Sequence, residues 1–586
     1  MKVPEALVSR RAPIAPVPRD ESGIAGSGSP QYSRSESGAN GRCAKWWFTP
    51  MLTEGPNPVR AVRGVATAPH ALAAQSALAI LREGGNAVEA IIAAAATIAV
   101  AYPHMNSIGG DGFWLIARPG ADPVGIEACG AAARSATIAS YRARGLEAIP
   151  FRGPLAANTV AGTVSGWGLA HQWSNEVLGG RLPHARLLED AVGYARDGVP
   201  VTRAQARCVA ARRAELESVP GFADLHLPAG KPPQTGDRFV QPRLAATLEH
   251  LARAGYDDFY RGDLARSISR DLQQLGSPLS LADFEGHRAR FRTPLCLSHS
   301  LGTVYNMPPP TQGLVSLLIL GQLDRRLQPG MDPLGAPFVH TCVEATKLAF
   351  AVRDEHITDP DYMSIDSLDL LAPGALDAMA GRISMSQAAP WGVGRGPGDT
   401  VWLGAIDRDG VAVSFIQSIY HEFGSGVVLG ESGINWQNRG CSFSLDPHAR
   451  NPLTPGRRPF HTLNPALARL ADGRTLAYGN MGGDGQPQSQ AAIFSRIVHF
   501  GWNPQAAIDA PRWLLGRTWG QTNDTLKLEA RFSDEVFEEL RCLGHDIERL
   551  NPYDDTVGHA GAILLQRNGL MEAGSDVRSD GAAAGW

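Results

Sequence analysis

Between Ala90 and Tyr102 every residue except Thr97 is apolar. A helix of that composition has no face to offer water, so it reads as enclosed on all sides. It falls far short of the ~20 residues needed to span a bilayer, and Glu89 flanks it. A chain that encloses such a helix needs layers on both sides of it, and 586 residues are enough to build them.

The surrounding pattern is consistent with that demand. Residues 69–83 repeat their apolar positions at helical spacing until Gly84–Gly85 stops them, and Asn86 is placed to cap the enclosed helix. Ile108-Gly-Gly-Asp-Gly-Phe reads as a glycine turn entering a strand. Residues 150–290 carry mostly helical patterns, among them ARLLEDAVGYARDG and PRLAATLEHLARAG, each ending at glycine. Another buried helix is expected after Met307-Pro-Pro-Pro-Thr-Gln-Gly313, and residues 361–398 read as a loosely structured linker. Strands then dominate. Val401–Asp407 and Val411–Ile419 are joined by Asp407-Arg-Asp-Gly410, and Leu463–Leu470 and Thr475–Asn480 by Asp472–Gly473. A helix is expected from about Pro487 to Phe500, and a hairpin near His559–Gly574 to close the chain. Helices first and paired strands later predict a layered domain with sheets between helices.

Composition excludes several function classes. A formal net charge of -4 leaves no electrostatic footprint for nucleic acid or an anionic membrane. The 7 cysteines are an odd number without CxxC spacing, which argues against a zinc site or disulfide framework and for a reducing, cytoplasmic location. Residues 1–55 are rich in Ser, Pro, Gly and Arg without periodicity and read as a disordered extension. Arg10–Arg11 lacks the apolar stretch of an export signal after it. No GKS or GKT is present, Gly424-Ser-Gly426 lacks a dinucleotide-loop context, and His421-Glu422 has no second histidine at zincin spacing.

Four features could carry chemistry. Thr400 follows the glycine-rich Gly394-Arg-Gly-Pro-Gly-Asp399 and opens a strand. Locally it is an ordinary strand threonine. As a freed N-terminus, however, its α-amine, with a pKa of roughly 7.7–8.0, could take the hydroxyl proton. Tyr478-Gly-Asn-Met-Gly482-Gly483-Asp-Gly485 is a tight turn whose backbone N–H groups could also form an oxyanion hole. Arg439, within Gln437-Asn-Arg-Gly-Cys-Ser442, is a surface salt bridge by default and otherwise a carboxylate fork. His461–Thr462 and Asn464 could line a pocket or serve as structural hydrogen-bonding groups.

In this order the features resemble the γ-glutamyltransferase family of N-terminal-nucleophile hydrolases, over roughly residues 60–586. The resemblance runs through Gly84-Gly-Asn-Ala-Val-Glu-Ala, Pro103-His-Met-Asn-Ser-Ile-Gly-Gly-Asp-Gly-Phe, Val164-Ser-Gly-Trp and Met307-Pro-Pro-Pro. It continues through Glu344-Ala-Thr-Lys347, Phe423-Gly-Ser-Gly, Arg458-Pro and Met481-Gly-Gly. It implies an α+β, four-layer αββα sandwich and a proenzyme that cuts itself before Thr400 into a large subunit (56–399 after the extension) and a small one (400–586). It also implies Thr400 as nucleophile, Gly482 and Gly483 as oxyanion donors and Ser418 as support. No metal or organic cofactor is expected. A dimer of such heterodimers is left open.

Substrate recognition departs from the glutathione-cleaving members. Their arginine for the glutamyl carboxylate aligns near Cys129, and their asparagine and aspartate align with Tyr420 and Ser442. Their serine pair aligns with His461–Thr462. Without an acid at 442 a buried substrate ammonium would lack its counter-charge, at several kcal/mol. The resemblance therefore points to a small acidic amide, oxamate above all, with its carboxylate on Arg439 or, second, Arg517. A γ-glutamyl hydrolase/transferase or broader acylase is the alternative. An uncleaved binding protein is a third reading, against which the retention of Thr400 and the Gly482–Gly483 turn argues.

Overall fold

The computed structural model describes residues 56–392, 399–516 and 524–586. The expected extension 1–55, the glycine-rich residues 394–398 and Arg517 lie outside the described residues.

The enclosed helix is Ala87–Ala101, buried along its whole length. Asn86 caps it by accepting from Val88 and Glu89 N–H, while Glu89 accepts from the Asn86 N–H at 2.9 Å. Asp407, in a strand far along the chain, accepts from Ala87 N–H at 2.9 Å. The helices Ala71–Arg82 and His184–Asp197 pack on its other faces, which is why no polar stripe is needed.

Beneath it lie two seven-stranded sheets. One has the spatial order Ala582–Gly585, Gly64–Ala68, Asp399–Asp407, Ala412–Tyr420, Asp111–Ala117, Val124–Ala128, Arg290–Arg292. The other runs Val59–Ala61, Met571–Ser575, Ala560–Leu565, Thr475–Asn480, Ala466–Leu470, Gly302–Asn306, Leu295–His299. Phe113, Leu115, Ile406 and Ile416 of the first meet Leu467, Ile563, Met571 and Ala573 of the second in a common core. Trp402 fills the gap beside them: a Cβ on Gly479 or Gly561 of the opposite sheet would come within 2.1 Å or 2.4 Å of its ring. The helices Gly313–Arg326 and Gly485–Phe494 cover the second sheet, with Ala336–His356 outside them. The molecule is thus an αββα sandwich, as expected.

Several local readings change. The stretch read as a linker contains helices Ser367–Leu370 and Pro373–Gly381; Pro373 sits at a helix start, where its missing N–H costs nothing, and Leu376 and Ala380 are buried. Pro465 delays the strand expected from Leu463 to Ala466. The helix expected at Pro487 starts at Gly485, with Pro487 in its first turn, and gives way to a π-helical turn over Ser495–His499. A further strand, Ala582–Gly585, follows the last hairpin. Among the described residues no helix is long and apolar enough to cross a membrane. Cys129, Cys208, Cys296, Cys342, Cys441 and Cys542 are all free thiols.

Candidate active site

Strand alternation fixes which side chains share the space between the sheets. Phe113, Leu115, Ile406 and Ile416 face inward, so the residues in step with them, Asp111, Thr400 and Ser418, face inward at one end of the sandwich. Asp111 and Ser418 are direct register partners. Opposite Thr400 the ladder slips: Asp399 pairs with Tyr420 and Val401 with Gln417, so Ser418 and Ile419 together oppose one residue. Such a bulge bends the strand and re-aims side chains. Thr400 is fully buried, and its Oγ1 accepts a long hydrogen bond, 3.4 Å, from Gln486 Nε2.

Gln486 lies in the first turn of the helix that follows the glycine turn. Gly482 has φ +126° and Gly483 φ +52°, left-handed conformations that disfavour any side chain. Their carbonyls are tied down: Gly482 O accepts from Gly485 N–H at 2.7 Å, and Gly483 O from Gln312 Nε2 at 2.8 Å. Neither glycine's own N–H donates within the described residues.

Arg439 begins a short 3-10 turn, Arg439–Ser442, and is fully buried. Its Nη2 donates to Ser418 Oγ at 3.2 Å, and its guanidinium stacks 4.1 Å from the Tyr420 ring centre. Tyr420 is held at φ +84°, unusual for a side-chain-bearing residue, and its N–H donates to the same Ser418 Oγ at 2.8 Å. Arg439 Nε and Nη1 have no hydrogen-bond partner among the described residues. Burial lowers the guanidinium's pKa, with Tyr420 and Asp111 acting the other way.

Sequence reasoning missed Asp111. Its Oδ1 accepts from Gly130 N–H at 3.2 Å and Gly162 N–H at 3.0 Å, while Oδ2 has no hydrogen-bond partner and lies 3.6 Å from His461 Nε2. Burial pushes its carboxyl up to about 7, against the pull of Arg439. Burial, with Arg439 adding to it, drives His461 well below its ordinary pKa, so the ring is neutral. Both His461 nitrogens, Ser442 Oγ and Thr462 Oγ1 are buried without partners among the described residues. Buried polar atoms are normally satisfied, so those joined to Arg439 and Asp111 are available to a ligand. The expected residues Thr400, Ser418, Tyr420 and Arg439 are joined by hydrogen bonds or register, Gln486 links Thr400 to the Gly482–Gly483 turn, and His461 joins through Asp111. Ser442 shares the turn of Arg439. Gln486 was also missed, although it directly follows the quoted turn that ends at Gly485. A substrate ammonium is less disfavoured here than Ser442 alone implies, because Asp111 brings a carboxylate that local sequence did not connect to Arg439.

Among the described residues His340, Glu344 and His545 bring donor atoms within 4.8 Å of one another. Each is already engaged. His340 Nδ1 meets His545 Nε2 at 2.8 Å, and Glu344 accepts from Lys347 Nζ at 2.7 Å and Ala389 N–H at 3.0 Å. With His340 Nε2 on Ser384 O at 2.7 Å and Lys347 Nζ on Ala389 O at 2.6 Å, the cluster fastens residues 384–389 to a helix.

A doubly covered pair of sheets with this site at one end is the fold of the N-terminal-nucleophile hydrolases. Residues 73–586 match the sequence profile of the gamma-glutamyltranspeptidase family, and the chain belongs to that family as an amide-cleaving hydrolase. It is 57% identical over 523 residues to the oxamate amidohydrolase proenzyme of Klebsiella pneumoniae subsp. pneumoniae, covering 89% of this chain and 98% of that one. It is 40% identical to a glutathione hydrolase-like proenzyme of Bacillus subtilis, covering 89% and 98%. The crystal structure of a cephalosporin acylase from Bacillus halodurans superposes with a TM-score of 0.83 at 33% identity, covering 92% of this chain and 99% of that one.

Proposed function

We propose that the chain is a precursor that cleaves itself before Thr400, giving residues 1–399 and 400–586, and that the freed threonine hydrolyses a small acidic amide, oxamate in the first instance. One observation carries the reading: a buried arginine whose Nε and Nη1 have no partner among the described residues is hydrogen-bonded to Ser418, one of the two residues that oppose Thr400 across the bulge. Oxamate carries its carboxylate directly beside its amide, so a single cation near the nucleophile is the recognition it needs. A relative 57% identical bears that activity in its name, and its designation as a proenzyme supports the processing step.

In the processed form Thr400 Oγ attacks the amide carbon while the α-amine of the same residue takes its proton. The C–N bond breaks and ammonia leaves with that proton. Water then hydrolyses the Thr400 ester and releases oxalate. The N–H groups of Gly482 and Gly483 hold the oxyanion; removing one such donor typically costs about 10²–10³ in rate. Ser418 joins the nucleophile's sheet to Arg439, so a shift of either is felt by the other.

A second reading, γ-glutamyl hydrolysis or transfer or a broader acylase, gains from Asp111, whose open oxygen near Arg439 could meet an α-ammonium. Ammonia release from oxamate, glutamine and glutathione separates the two: preference for glutathione would overturn the oxamate reading. Mass spectrometry finding active protein intact across 399–400 would overturn the nucleophile.

A further inference from the structure

We propose that Asp111 sets the charge balance of the carboxylate pocket: an anion that settles beside Arg439 enters with one proton, and Asp111 receives it. This rests on the reading that Arg439 meets a substrate or product carboxylate.

The geometry leaves Asp111 one task unfilled. Its Oδ1 is occupied by two backbone N–H groups and Gln437 stands beside the carboxyl, while Oδ2 is enclosed, has no hydrogen-bond partner within 3.5 Å among the described residues and lies 3.6 Å from His461 Nε2. The groups around it come from every neighbouring element. Arg439 is contributed by the 3-10 turn, and His461, neutral through burial, by the loop before Ala466–Leu470. Cys129 follows strand Val124–Ala128 and is kept a thiol by burial; Tyr260 and Tyr420 are kept protonated the same way. Glu127, beyond Cys129, is paired with Arg458 at 2.9 Å. Before cleavage the charges facing one another are therefore Arg439 and Asp111, and they cancel; cleavage adds the Thr400 ammonium.

Oxalate is a dianion: the Thr400 ammonium can offset one of its carboxylates, while the other, added to the neutral, enclosed Arg439–Asp111 pair, leaves an uncompensated negative charge, which costs several kcal/mol. The least costly remedy is to protonate the group already nearest to accepting a proton. Asp111 qualifies, because burial has raised its carboxyl to about 7 and a second anion raises it further. Protonated, Oδ2 becomes a donor that can face the newcomer. A zwitterionic α-amino acid would bring no net charge and need no proton, so the same pocket distinguishes the two substrate classes by their proton stoichiometry.

Calorimetry of oxalate binding to the processed enzyme, in two buffers of different ionisation enthalpy from about pH 6 to about pH 8.5, tests this. About one proton should be taken up per oxalate above pH 7, with affinity falling up to about tenfold per pH unit there. Asp111→Asn keeps an oxygen for the Gly130 and Gly162 N–H groups. It should bind oxalate without uptake, and at about pH 8.5 roughly tenfold more tightly than the native enzyme. Uptake that persists in Asp111→Asn would assign the proton elsewhere, the Thr400 amine included, and overturn the proposal. So would native binding without uptake, a result that stands even if the variant fails to fold. Absence of any oxalate binding, or binding unaffected by Arg439→Met, would instead sink the reading of the pocket itself.

Discussion

Two buried arginine–carboxylate clusters sit in this molecule, and they are built to opposite specifications. Arg578 donates to both Glu529 oxygens at 2.8 Å and 2.5 Å, to Asp576 at 3.0 Å, and to the carbonyls of Ile508 and Ala510. Asp576 in turn pairs with Arg512 and accepts from Ala560 N–H at 2.8 Å. Among the described residues Arg439 makes one hydrogen bond, to Ser418, and leaves two N–H-bearing nitrogens unused, while Asp111 leaves an oxygen unused. The first cluster, with every Arg578 nitrogen engaged and only Arg512 Nε unused among its arginine nitrogens, fastens Asn480 ahead of the glycine turn; the second, unsaturated one holds more hydrogen-bonding capacity in reserve. Burial of charge alone therefore does not separate structure from recognition. What separates them is whether the donors and acceptors are spent.

The largest expected effect bears on the unsaturated side. Thr400→Ala should give a single full-length band on a denaturing gel and no detectable amide hydrolysis. Arg439→Met should lower kcat/KM for oxamate by at least about 10², the scale of a lost charge-assisted fork. Its melting temperature should shift little at about pH 6, where Asp111 can take a proton. A large loss of stability with activity retained would place Arg439 with the structural cluster. Arg578→Met should do the reverse: a destabilisation of about 3–5 kcal/mol in urea unfolding, from stranding Glu529 and Asp576, with KM for oxamate unchanged in the folded enzyme.

The smallest effect concerns acid. Burial would raise the Asp576 carboxyl, but Arg512 and Arg578 more than offset it and hold it at about 2, below the ordinary 3.8. A carboxyl depressed in the folded state stabilises above its unfolded pKa, so this contribution, roughly 2 kcal/mol, is present above about pH 4 and fades toward pH 2. Asp576→Asn should flatten that part of the acid-unfolding curve. An unchanged acid slope would remove Asp576 from the account.

Local chemistry made much of this readable beforehand. Gly84–Gly85 and Asn86 mark a helix stop and a helix cap, and Asp407–Gly410 marks a hairpin, because those residues act through their own backbone. Thr400 stood out because a glycine-rich run precedes it. Asp111 did not: in Gly-Gly-Asp-Gly it looks like one more turn residue, and its tie to Arg439 exists only once their two segments fold against one another. Ala582–Gly585 carries little strand preference of its own and becomes a strand by pairing with Gly64–Ala68. The helices of 367–381 were hidden by shortness, since fewer than three turns do not establish a period.

The order of strands has a consequence for what a cut before Thr400 could release. In the sheet that carries it, Asp399–Asp407 lies between Gly64–Ala68 and Ala412–Tyr420, and Ala412–Tyr420 is bounded in turn by Asp111–Ala117. Either product alone would be a comb with missing teeth, exposing ladder edges that only the other product fits. Dilution should therefore never part them, unfolding should occur in one shared transition, and pieces synthesised apart should regain shape only when mixed before either has folded.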